Sequence, residues 1–181
     1  YTGAGGDVLL AAGNTTSAAG RGGDVEVRAG RSTFGSGGSV LVVSGVANNS
    51  DSGAVVVVTA ESGWLGTSGG VQISTGASLA GPSGDMDLTT GDAIAGAAGD
   101  ISLEVGTGNT GDAGDVVLTA GHTSAASSKG GDVIVSAGGS QLSTGGSVLV
   151  GSGSGAATDS GNVVVSTAHA GTSGVSGALQ G

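Results

Sequence analysis

The chain has no cysteine, one proline (Pro82), and one each of Trp, Tyr and Phe among 181 residues. Without cysteine, neither a disulfide framework nor a thiolate metal site can be built. A single proline excludes collagen, as does the lack of glycine at every third position. Aromatics at 2% are too few for a large conventional core. No run of about 20 apolar residues occurs, so the sequence contains no candidate membrane-spanning helix. Positive charge is also scarce, with 4 Lys+Arg against 14 Asp+Glu and a formal net charge of −10. That balance argues against nucleic acid as a partner, because phosphate binding draws on clustered cations. The cations are Arg21, Arg28, Arg31 and Lys129, whereas eight acids fall between Asp85 and Asp132. A solvated, solubilising surface is the simplest reading of the acids, and registry between neighbouring molecules is the alternative.

What the chain has instead is glycine, 42 residues of it, in a repeat of about fifteen residues. The core of the repeat reads Gly-(Gly/Asp/Ser)-Val-x-Val-x-(Ala/Ser/Thr)-Gly, as in Gly23–Gly30 and Gly131–Gly138. Its anchor position holds Val8, Val25, Val40, Val55, Val71, Met86, Ile101, Val116, Val133, Val148 and Val163, at steps of 15 to 17 residues. Two residues later stand Leu10, Val27, Val42, Val57, Ile73, Leu88, Leu103, Leu118, Val135, Val150 and Val165, all aliphatic. Four residues after the anchor come the mostly small Ala12, Ala29, Ser44, Thr59, Thr75, Thr90, Val105, Ala120, Ala137, Ser152 and Thr167. Alternation with period two places these three positions on one face of a strand. Glycine follows in nine repeats, with Ala60 and Ala168 as the exceptions, and marks a turn.

Regularly spaced aliphatic pairs distinguish the chain from a disordered Gly-Ser linker, and β-branched residues with abundant glycine disfavour helix. The pattern predicts an all-β fold, a parallel β-solenoid (β-helix) with coils of about 15 residues. Residues 1–181 form a single array of about 11–12 coils. At ~4.8 Å per coil the rod is roughly 55 Å long. The anchors and the aliphatics two residues on form its inner column. The Gly/Ala/Ser/Thr remainder forms a thinner second side, with occasional larger residues such as Phe34, Trp64, Leu79, Ile94 and Leu142. No polar cap is visible near Tyr1 or Gly181, so an excerpt of a longer repeat array is expected.

Several residues are candidates for function. Asp precedes the anchor at Asp7, Asp24, Asp85, Asp100, Asp115 and Asp132. Stacked coils would turn Asp85, Asp100, Asp115 and Asp132 into a carboxylate ladder in which Ca²⁺ could bridge like charges. Turn capping by Asp is the competing and simpler role. The position after the anchor points outward, yet it is aliphatic at Leu9, Leu41 and Val56 and again at Val117, Ile134, Leu149 and Val164. Gln72, Asp87 and Ser102 separate the two blocks. An aligned aliphatic row suggests a lateral contact, most of all at Val117, Ile134, Leu149 and Val164. Strand propensity alone is the plainer explanation.

Asn14-Thr15-Thr16 and Asn48-Asn49-Ser50 match the N-glycosylation acceptor, making Asn14 and Asn48 candidate glycan sites. Trp64 reads as a local plug or surface residue, with a sugar platform as the alternative. His122 and His169 lack a partner at metal-ligand spacing and read as solvated. No segment supplies a phosphate loop followed by a helix, and nothing orders Ser, His and Asp into a triad.

The Gly-Gly-Asp-Val-x-Val-x-Ala-Gly units resemble the Gly-rich β-solenoid repeats of algal and protist extracellular fibrils, including flagellar-hair-like filaments. They resemble less closely the stalks of bacterial filamentous haemagglutinins and autotransporter adhesins, whose coils are longer and richer in Asn and Thr. The resemblance covers the whole chain and carries over no functional residue. It implies a structural, non-enzymatic glycoprotein of the extracellular or cell surface, needing no cofactor and self-associating end to end or laterally. An adhesin stalk, or a module binding polysaccharide or ice, is the alternative. The ice reading lacks a Thr-x-Thr ladder, since Thr59, Thr75, Thr90 and Thr167 fall in the inward column.

Overall fold

The computed structural model describes residues 3, 5–172 and 174–180. Tyr1 and Gly181, between which the array was expected to run, lie outside the described residues. Among those residues there is no helix and no strand, only bends and turns joined by irregular backbone. This overturns the β-solenoid expectation. A solenoid holds each coil to the next by a ladder of backbone hydrogen bonds. Here the backbone bonds are local, each closing a single turn or loop within the chain. The physical reason lies in the repeat itself. Each repeat offers two large aliphatics against a loop rich in glycine, whose ordering costs more backbone entropy than any other residue's.

The inner column is not buried either. Val57 and Val135 are 72% and 71% exposed, and no described hydrophobic side chain is buried. Anchors from Val25 to Val163 are 48–57% exposed, while the outward aliphatics are 74–94% exposed. The aliphatics two residues after the anchors, the other half of the expected inner column, are 67–79% exposed and overlap the outward set, so only the anchors are partly sheltered.

The chain divides into two units, Tyr1–Leu88 and Thr89–Gly181. In the first, the amides of Gly23, Gly38 and Gly53 donate to the carbonyls of Gly13, Gly30 and Gly45, each at 2.9 Å. In the second, Gly131, Gly146 and Gly161 donate to Gly121, Gly138 and Gly153, again at 2.9 Å. Every such bond joins the glycine after one repeat core to the glycine two residues before the next anchor. It ties off the linking segment as a closed loop.

The linking segments are not a second packed side, as the sequence suggested. They bend at their tips, and Phe34, Trp64, Leu65, Leu79, Ile94 and Leu142 sit on those bends, fully exposed. Hydroxyls brace the bends. Ser32, Ser78 and Ser140 Oγ accept from the amides of Gly35, Gly81 and Ser143 at 2.8, 3.1 and 3.0 Å. In the two longest loops, Thr15 and Thr123 Oγ1 accept from the amides of Ser17 and Ala125, both at 3.2 Å. Such short-range side-chain bonds hold a turn without any help from a sheet.

Candidate functional site

The closed loops follow a rule that can be read from one side chain. Loops close where the residue four after the anchor is Ala or Ser: Ala12, Ala29, Ser44, Ala120, Ala137 and Ser152. Among the described residues, no corresponding bond forms where it is Thr59, Thr75, Thr90, Val105 or Thr167. Loop length does not decide. The Gly30–Gly38 and Gly91–Gly99 loops both span 8 residues, and only the first is bonded.

Sterics explain the rule. A Cβ placed on Gly23, Gly38 or Gly131 would lie 3.2, 3.4 or 3.3 Å from the Cβ of Ala12, Ala29 or Ala120. The returning backbone thus rests directly on that small side chain. A β-branched residue carries two γ atoms, so rotation cannot clear both from the approach. Serine has one and can turn it away. Across the six bonded loops this Cβ-to-Cβ separation is 3.2–3.6 Å, opposite Thr59, Thr90 and Thr167 it is 3.7–3.8 Å, and over Val105 it is Cγ1 that meets the Gly114 position, at 3.0 Å. Ala12, Ser44 and Ala120 are, accordingly, among the few described residues that are not fully exposed.

A longer period underlies the short one. Residues 6–73 align on 114–181 without a gap, at an offset of 108. The local structure recurs at that offset. The three closed loops of each unit correspond pairwise, as do the Gly63–Gly66 and Gly171–Gly174 turns. The ion pair from Arg21 to Asp24 (2.9 Å) becomes that from Lys129 to Asp132 (2.7 Å). The outward aliphatics recur too: Leu9 as Val117, Leu41 as Leu149 and Val56 as Val164. Comparing the chain with itself at long offsets would have found this period. Stepping from one anchor to the next did not.

The candidate residues can now be placed. Asp24 and Asp132 are engaged by cations in their own loops. Among the described residues no three His, Asp or Glu side chains converge on a point, Asp85, Asp100, Asp115 and Asp132 included. Each stands in its own repeat, without the coil stacking that would have aligned them. Asn14 lies in the loop closed by Gly13 and Gly23, and Asn48 opens a bend; both are exposed. His122 and His169 are exposed as well. Trp64 occupies a bend tip at 106% exposure, which makes it a surface residue and not a plug. Val117, Ile134, Leu149 and Val164 are all open to solvent in the isolated chain.

One difference between the two aliphatic blocks matters. In the first, Glu26 and Arg28 pair with each other. At the corresponding positions of the second stand Ile134 and Ser136. The first block is interrupted by charge and the second is not. No cavity is present among the described residues. The surface offers open faces and loop tips, not an enclosed site. No protein-family model, curated protein or solved structure matches the chain.

Proposed function

We propose that the chain is a structural protein that forms or stiffens an extracellular filament, with no catalytic chemistry of its own. The observation that supports this best is the extent of open surface. The chain exposes 17991 Å² at a mass of 16.4 kDa. A compact chain of that mass exposes roughly 7500 Å². Its mean hydropathy is +0.29, so much of the excess is aliphatic. Such a chain gains most by associating along its length, repeat after repeat, as the components of a fibre do. The exposed Asn14 and Asn48 suit a glycan coat on such a fibre.

Electron microscopy of the native material tests this reading. Long fibres containing the chain are expected. A short, monodisperse particle with measurable affinity for polysaccharide or ice would replace it with a binding module.

A further inference from the structure

We propose that the Arg31–Ser32 peptide bond is a proteolytic processing site. The enzyme it fits is a serine endoprotease whose acidic pockets read arginine immediately before the bond and again three residues earlier. The proposal stands apart from the filament reading. Arg28-Ala29-Gly30-Arg31 is the one segment of the chain with two Arg or Lys residues at that spacing. The pair is also a departure from the repeat. Gly22–Gly30 and Gly130–Gly138 are identical except at two positions, where Glu26 and Arg28 correspond to Ile134 and Ser136. Arg31, just beyond, corresponds to Gly139.

The structure presents this segment as a protease requires it. An endoprotease takes its substrate as an extended strand, paired through the backbone on both sides of the cut. Residues 21–32 contain no helix, strand or turn, all are exposed, and the bend begins only at Thr33. Ala29, Gly30 and Ser32 supply the small neighbours that mark nicked loops. Arg31 has no ion pair among the described residues, so its guanidinium is free to enter a carboxylate-lined pocket. Arg28 is 79% exposed and pairs with Glu26, a weak surface contact that it exchanges for the enzyme's carboxylates. Arg21 and Lys129 are poorer targets: each is held by an Asp three residues on, and neither has a cation three residues before it. Two exposed bonds must open for the cut, from the Gly38 amide to the Gly30 carbonyl at 2.9 Å and from the Gly35 amide to Ser32 Oγ at 2.8 Å. The enzyme's serine attacks the Arg31 carbonyl carbon, and the bond to the Ser32 nitrogen breaks. That nitrogen leaves with a proton, and one water then releases the Arg31 carboxylate. Among the described residues only the Gly38–Gly30 backbone bond bridges the cut, so the products come apart. They differ sharply in charge. Residues 1–31 hold three cations and three acids, whereas residues 32–181 hold one cation and eleven acids.

Intact-mass spectrometry of the 181-residue chain tests the proposal, after treatment with a subtilisin-like processing endoprotease selective for arginine at both positions. One cut is expected, after Arg31, with the bonds following Arg21, Arg28 and Lys129 left whole. Arg28→Ser, the residue found at the 108-residue offset, is expected to slow that cut at least about tenfold by removing the second contact. Trypsin, which reads only the residue before the bond, should cut after Arg31 at the same initial rate in both chains. A tryptic cut slowed in parallel would assign the effect to a changed loop and overturn the two-arginine reading. A wild-type chain that resists the processing enzyme at Arg31 also overturns the proposal, as does an Arg28→Ser chain cut as fast as the wild type. The same holds if peptides from native material show the Arg31–Ser32 bond intact in every chain. Native chains that begin at Ser32 support the proposal whether or not they lie in fibres, so it is decided separately from the filament.

Discussion

At the scale of the residue, branching at one Cβ decides whether a loop closes. The Gly99 amide has no partner on Gly91, where Thr90 stands under the approach, while Gly146 bonds to Gly138 over Ala137. Exchanging these side chains should exchange the behaviour. Thr90→Ala is expected to create the Gly99–Gly91 bond, and Ala137→Val to remove the Gly146–Gly138 bond. One backbone bond is worth about 0.5–1.5 kcal/mol net, and less in full contact with water. Amide hydrogen exchange should therefore slow a few-fold at Gly99 and quicken a few-fold at Gly146. If neither rate moves, the steric account is wrong. The identity of the key position was legible in the sequence as a column of small residues. Its consequence was not. Ala, Ser and Thr read alike as small and inward, and only the close approach of the returning glycine separates them.

At the scale of the element, the linking loops carry their largest side chains at the tips. Phe34, Leu79 and Leu142 each sit one or two residues beyond the serine that braces the bend. Trp64 occupies a comparable turn and is the only tryptophan. Its fluorescence is expected to be red-shifted and readily quenched by acrylamide, as for an indole in water. A blue-shifted, protected indole would place that tip in a packed environment instead. The sequence located these loops correctly from glycine and serine content. It assigned them to a packed second side because a solenoid requires one, and that requirement came from the assumed fold, not from the residues.

At the scale of the whole molecule, the repeat was legible and the closure of one repeat on another was not. Aliphatic residues at the anchor and two positions later are what a solenoid interior demands, but they are also what any row of half-sheltered segments displays. The two cases differ in whether burial repays ordering of the glycine-rich remainder, a near balance that periodicity does not report. Val135→Asp distinguishes them. In a packed column it would be severely disruptive, whereas at 71% exposure it is expected to leave the far-UV circular dichroism of the monomer nearly unchanged. Loss of structure in that variant would restore a buried interior. The order of closed and open loops has a mechanical consequence. Three bonded loops are followed by four unbonded ones, and three bonded loops come again. Each linking segment stores slack of 8 to 10 residues, about 30 Å when drawn out straight. Pulled from its ends, such a chain gives way first where threonine and valine keep the loops open. The tied loops yield later, one small step at a time. Compliance is thus written along the chain in the choice between alanine and threonine, and a fibre made from it would stretch in graded stages before its backbone grew taut.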